Sequence, residues 1–265
     1  MMFAALLLAS VFSDVEIKPT GWFGSEVESA HITRGRIKTM TPVWNLDFGI
    51  GAEIGSYGYV TAGSWNSSDL CRDYRDRRHM LLNEMDPVVS YGYKFDLFEG
   101  VSLDSRVGFQ WNVMVGYKGD GRRSYDEYQW RETLKTPWVT FYTFMRTFYH
   151  PYYAMALKYG VCHSFPIAGG LSFEPNIWFD GGTEHWNRRR FGWYTGSEPN
   201  YHRGPNSISV QLFLTYKFSS GWKIYGGLTQ YSALFPNIRE QLKAKPTREG
   251  VSDLLVGTIG ISRKF

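Results

Sequence analysis

Residues 44–54 read WNLDFGIGAEI, so that Trp44, Leu46, Phe48, Ile50, Ala52 and Ile54 alternate with Asn45, Asp47, Gly49, Gly51 and Glu53. Successive side chains of a strand point to opposite faces, and this segment drawn out as β is apolar on one face and polar on the other. Residues 101–117 repeat the split. Val101, Leu103, Val107, Phe109, Trp111, Val113 and Val115 share one face, and Ser102, Asp104, Arg106, Gly108, Gln110 and Asn112 the other. Strands of a soluble sandwich run to about five or six residues, and these runs are about twice that. A tilted strand needs about nine to eleven residues to cross a bilayer, with an apolar row against lipid and a polar row toward a lumen. Segments 81–95, 153–165 and 208–218 carry the same alternation. Pro87 and Pro175 fall inside such runs, where bulges or frayed ends are expected because proline cannot donate to the ladder.

Composition agrees with an all-β chain. Among 265 residues there are 18 Phe, 18 Tyr, 10 Trp and 28 Gly, types that suit strands and their turns better than helices. This aromatic content excludes a disordered chain. The balance of 29 Lys+Arg against 25 Asp+Glu, a net charge of +4, is far from the one-sided basicity of a nucleic-acid binder. Cys71 and Cys162 lack the spacing of a zinc site or the density of a disulfide scaffold, leaving free thiols or one bridge. At the N-terminus, an apolar run from Phe3 to Phe12 with Val11 and Ser13 near its end predicts a signal peptide over 1–13, although no Lys or Arg precedes it. Residues 14–265 are then a single exported domain. Beyond the leader, no apolar stretch reaches the length of roughly 20 residues that a spanning helix needs, so any crossing must be made by strands.

Connection lengths test that reading, because outer-membrane barrels have even strand numbers, short periplasmic turns and longer outer loops. Twelve strands are predicted, over 24–34, 42–54, 57–66, 81–95, 101–117, 127–135, 138–148, 152–165, 170–180, 207–218, 222–231 and 251–265. Alternate connections, at 55–56, 96–100, 136–137, 166–169 and 219–221, are short. The longest, at 67–80, 118–126, 181–206 and 232–250, fall on the other side. The expectation is a twelve-stranded antiparallel transmembrane up-and-down β-barrel in the outer membrane.

The last segment, VSDLLVGTIGISRKF, ends in Phe265 after alternating Leu255, Ile259 and Ile261. It resembles the C-terminal signal read by the barrel assembly machinery, with Arg263 at a position usually apolar. Further motifs occur in order along the chain: Arg34-Gly35, Pro42-Val43, Tyr57-Gly58-Tyr59, Gly63-Ser64-Trp65, Asn83-Glu84 with Asp86, Gly92-Tyr93, Leu134, Pro137, Phe141-Tyr142 and His163-Ser164-Phe165. In these the chain resembles the TorF-type porins of Gram-negative outer membranes, which implies a barrel and a channel.

On the predicted lumen face lie the acids Asp47, Glu53, Glu84, Asp86, Asp104, Glu174 and Asp180, and the bases Lys94, Arg106, Arg131, Lys135, Arg146, Lys158, Lys217 and Lys223. Rings of one sign set the selectivity of charged pores, so this mixture argues against strong ion selectivity. Twelve strands fall between barrels filled by side chains and those with an open channel, so the lumen is either a narrow pore or closed by internal salt bridges. Outer-loop arginines form two clusters, Arg72, Arg75, Arg77 and Arg78, then Arg188, Arg189, Arg190 and Arg203. Arginine suits phosphate and carboxylate. With Trp186, Trp193, Tyr194 and Tyr201, the fifth loop either folds inward to hold anions and sugars or stays solvated against lipopolysaccharide phosphates.

No catalytic constellation is evident. His163 and Ser164 are adjacent, and adjacent strand residues face opposite ways. His31 and His163 read as strand or interface residues, and His79, His150, His185 and His202 lack metal-ligand spacing. The chain is therefore expected to be a non-enzymatic, cofactor-free and metal-free channel for small polar solutes, as a monomer or an oligomer. Its partners would be outer-membrane lipid, lipopolysaccharide and the assembly machinery, with no nucleic acid. The alternatives are a non-conducting structural or adhesion barrel touching surface polysaccharide, and an exported carbohydrate-binding sandwich.

Overall fold

Alternation of this length leaves each strand with one apolar face and two unpaired edges, and closing the sheet on itself removes every edge. A computed structural model describes residues 15–33, 36–70, 84–114, 125–148, 153–191, 203–244 and 251–265. The strands are β1 (Ile17–Glu28), β2 (His31–Thr33), β3 (Arg36–Thr39), β4 (Val43–Ile54), β5 (Tyr59–Asp69), β6 (Glu84–Phe98), β7 (Val101–Met114) and β8 (Tyr125–Lys135). There follow β9 (Thr140–Phe148), β10 (Ala154–Cys162), β11 (Phe165–Ala168), β12 (Leu171–Gly182), β13 (Gly204–Lys217), β14 (Trp222–Ala233) and β15 (Asp253–Lys264). Two helices, α1 (Glu184–Phe191) and α2 (Pro236–Ala244), precede β13 and β15. Setting aside the β2–β3 hairpin, and counting β11 as a continuation of β10, the strands form a closed antiparallel barrel of 12. β10 pairs with β12, and β1 closes the ring on β15.

The barrel is apolar outside and polar inside. Ile50 and Ile259 are each 69% exposed, whereas Glu127 and Asn112 are at 0%. A soluble fold buries the first kind and exposes the second. Water cannot satisfy that exterior; hydrocarbon can, and a closed barrel leaves no backbone group unpaired there. The short connections lie on the side of the chain ends, which is the periplasmic side by the geometry of such barrels. Exposed Tyr57, Phe98, Trp138, Phe165 and Phe265 ring that side, where amphipathic and aromatic side chains sit at the headgroup level. Arg263 falls on the outer face by its register opposite Trp222, with its guanidinium carbon 5.5 Å from the Trp222 ring centroid. Phe265 exchanges backbone bonds of 2.6 and 3.0 Å with Gly21, and its ring lies where a Cβ on Gly21 would stand, 2.4 Å away.

Several expectations need correction. The first wall strand is Ile17–Glu28 rather than 24–34, because all of it pairs with β4, from Ile17 opposite Ile54 to Glu28 opposite Val43. His31–Thr33 and Arg36–Thr39 instead make a separate hairpin with its own register. Pro87 causes no bulge: it lies opposite Ser64 in the β5–β6 ladder, and the β6–β7 ladder passes over it without a shift. Pro175 also stays in regular strand, opposite Leu212, with its missing N–H beside the break at His163 and Ser164 that separates β10 from β11. The leader 1–13, Cys71, the second-loop arginines, His79, His150, Trp193, Tyr194, Tyr201 and His202 lie outside the described residues.

Candidate functional site

Cross-strand partners share a face, so the ladders fix what points inward. Asp47 and Glu53 on β4, Glu84 and Asp86 on β6, and Asp104 and Arg106 on β7 belong to the inner face. So do Arg131 on β8, Arg146 on β9, Lys158 on β10, Glu174 on β12 and Lys217 on β13. Asp47, Glu84, Asp86, Arg106, Arg131 and Arg146 meet around a cavity of about 310 Å³. Lys217 lines a neighbouring cavity of about 640 Å³ with Glu26, Lys223 and Lys264, and Lys158 lines one of about 130 Å³ with Asp180. Glu53 and Glu174 stand toward the periplasmic mouth, outside these cavities.

Around the wall the charges are unevenly spread, with Lys18 and Lys94 among the acids of β1 to β6 and Asp104 and Glu127 among the bases of β7 to β10. Strand order in an up-and-down barrel is angular order, so Glu26, Glu28, Asp47, Glu84 and Asp86 occupy the arc from β1 to β6. Arg106, Arg131, Arg146 and Lys158 fall on four successive strands, β7 to β10. On the acidic side, the Trp22 indole donates to Asp47 at 2.9 Å, and Gln110 donates to Asp86 at 2.9 Å. On the basic side, Arg106 Nε donates to the Tyr59 hydroxyl at 3.1 Å, and that hydroxyl donates to Asp104 at 2.5 Å.

Trp22 is a residue that composition alone does not single out. Its indole lies across Gly49 and Gly63, directly paired glycines of β4 and β5; a Cβ on Gly49 would stand 2.2 Å from Trp22 Cη2, and one on Gly63 2.6 Å from its Cζ2. The paired glycines are the sequence signal for this seat. Trp22, Asp47 and Trp65 border both the 310 and 640 Å³ cavities and so form the shared edge between them. Gly49→Ala should unseat the indole and destabilise the barrel by about 1–3 kcal/mol, the usual cost of overpacking, with a red shift of tryptophan emission. An unchanged spectrum and unchanged denaturant midpoint would contradict the close contact.

The β2–β3 hairpin turns into the lumen. His31 stacks on inward-facing Trp65 with ring centroids 5.6 Å apart, and its Nδ1 is 2.7 Å from Glu28 Oε2. Lys38 pairs with inward-facing Glu84. Thr33 reaches the cavity beside Arg106 and Arg146, and Ile32 and Thr33 also border the one beside Lys158. Helix α1 packs at the same mouth through Trp186, which stacks on Phe148 with centroids 4.7 Å apart and joins the buried cluster of Ala154 and Ala156. Helix α2 does so through Ile238 and Leu242 against Ala233. Trp186 is therefore a buried anchor and not an open sugar platform. Arg188 pairs with Glu184 one turn away at 3.1 Å; Arg189 and Arg190 belong to the same helix, and Arg203 is exposed before β13.

His163 and Ser164 do not face each other. The His163 ring sits edge-on to Phe165, centroids 4.3 Å apart, while Ser164 Oγ donates to Glu174 at 3.5 Å. Among the described residues no cluster of His, Cys, Asp and Glu is arranged to hold a metal ion.

A closed twelve-stranded barrel with an apolar exterior, a charged interior containing cavities and short turns on one side is a transmembrane barrel of the outer-membrane kind. No protein-family model matches the chain, and no curated protein matches it. Among solved structures it is similar to the KdgM porin at 8% identity, over 93% of this chain and 99% of that one, with a TM-score of 0.48. It is also similar to the COG4313 outer membrane channel from Pseudomonas putida F1, at 9% identity over 94% of each chain and a TM-score of 0.47. A third is outer membrane phospholipase A from Escherichia coli, at 11% identity over 96% of each chain and a TM-score of 0.47. None of these likenesses carries a substrate, a subfamily or a residue role to this chain.

Proposed function

We propose that the protein is an outer-membrane channel for passive diffusion of small polar solutes, of the TorF-type porin kind, with its bore narrowed by the β2–β3 hairpin. The observation that carries this reading is the adjoining 310 and 640 Å³ cavities, lined by charged side chains and meeting at Trp22, Asp47 and Trp65. A barrel built only as a scaffold has no need of hydrated space, and at this size side chains are able to fill much of the interior. Asp47, Arg106, Arg131 and Arg146 are the lining residues a solute would pass, and the lysines 217, 223 and 264 face it next. Hydrolysis is disfavoured because the neighbouring His163 imidazole sits against Phe165 and not against Ser164.

Conductance of the purified barrel in a planar bilayer tests the proposal. The intact chain should give small, discrete steps, and liposomes containing it should swell in an iso-osmotic small sugar faster than in a disaccharide. Absence of conductance and swelling, both in the intact chain and after removal of residues 30–40, would leave the structural-barrel reading in its place.

A further inference from the structure

The basic arc of the wall is built in an unusual way. Arg106 and Arg131 are directly opposite each other on β7 and β8, and Arg131 is opposite Phe144, which is in turn opposite Lys158. Like charges facing across a ladder repel, so the arrangement costs stability unless something offsets it. Part of the offset is internal. Arg131 and Arg146 lie over the Phe144 ring at 4.5 and 4.2 Å from its centroid, a phenyl flanked by two guanidiniums. Arg146 Nε is 3.7 Å from Glu127, Arg106 is tied through Tyr59 to Asp104, and Lys158 lies 4.2 Å from the Trp178 ring centroid with Asp180 across the ladder.

Arg131 is the exception. It is exposed to the lumen, and no described carboxylate lies within salt-bridge distance of it. Ring stacking fixes the plane of a guanidinium but uses none of its N–H donors. Arg131 thus presents a held, unused fork to the 310 Å³ cavity, with Arg146 beside it on the same ring. Planar forks of this sort match the oxygens of a carboxylate or phosphate two at a time. Trp22 and Trp65 line the same cavity and offer apolar faces to the body of a bound molecule.

We propose that Arg131 and Arg146, braced on Phe144, form an oxyanion-binding site in the lumen for small solutes bearing a carboxylate or phosphate group. The site deepens the channel reading and rests on it for its role in passage, but binding can be measured without conduction. The barrel folded in detergent is titrated with glucose, glucuronate and glucose 6-phosphate, one sugar frame carrying no charge, a carboxylate or a phosphate, while tryptophan emission is followed. Both anions should bind at least about tenfold more tightly than glucose, as expected when charge-assisted bonds are added, and the tighter of the two identifies the preferred oxyanion. Arg131→Gln should abolish most of that difference, and Arg131→Lys should keep part of it. Equal affinity for all three sugars, or anion affinity unchanged in Arg131→Gln with the barrel still folded, overturns the site. Anion binding by a barrel that does not conduct would instead overturn the channel reading alone, and conductance with no anion binding would overturn the site alone.

Discussion

Removal of residues 30–40, with a short glycine bridge from Ser29 to Thr41, is expected to raise the single-channel conductance about twofold. Strands about 4.8 Å apart and tilted by about 40° give twelve of them a backbone radius of about 12 Å. An inward layer of side chains about 5 Å deep, half the spacing of packed sheets, leaves a bore of roughly 150 Å². A two-stranded ribbon with its side chains occupies roughly half of such an area. The hairpin sits inside that bore, since His31 meets Trp65 and Lys38 meets Glu84, both inner-face residues. The deletion leaves the barrel ladders intact, because among the described residues β2 and β3 pair only with each other. A milder variant, His31→Ala with Lys38→Ala, keeps the chain length and should give a smaller increase with larger fluctuations in the open current. Unchanged conductance in both variants would mean that the hairpin does not bound the conducting path.

The twelve wall strands are legible in the sequence because a period of two persists for most of each strand's length, and strands this long with an apolar outer row are what a membrane barrel requires. The hairpin is not legible for the same reason. His31, Ile32 and Thr33, followed by Ile37 and Lys38, carry short local alternation continuous with the strand before them, so pattern alone extends the first strand to 34. What decides the matter is long-range: β4 provides partners for Ile17–Glu28 and none beyond. The inner-face charges are equally instructive. Alternation puts Arg106, Arg131, Arg146 and Lys158 on the inner face, and their overall balance with the acids suggests a mixed lumen. The run of four bases on β7 to β10 follows from strand order alone, so it was legible in the sequence once the topology was fixed. The Phe144 brace was not, because its contacts depend on ladder register and rotamer. Trp186 misleads in the opposite sense: a tryptophan among arginines reads as a loop platform, yet its ring is 5% exposed on the wall.

The inside-out arrangement itself predicts that neighbouring residues of one strand will respond oppositely to the same substitution. Leu212 and Gln211 are adjacent on β13; Leu212 faces outward and is 48% exposed, while Gln211 faces the lumen and donates to Thr229 at 3.4 Å. Near the middle of the strand, Leu212→Arg places a charge in hydrocarbon and should destabilise the folded barrel by about 2–4 kcal/mol. The guanidinium there is too far from either interface to reach headgroups along its own stem. Gln211→Arg enters a hydrated lumen and loses one neutral hydrogen bond, a net cost of about 1 kcal/mol. Reversible denaturant titration in lipid vesicles measures both, and on heating the first variant should also lose its compact gel mobility at a lower temperature. If the two substitutions cost the same, or if Gln211→Arg is the worse, the β13 register is inverted. Because every ladder links β13 to its neighbours, that inversion would turn the whole lumen, Arg131 included, toward lipid.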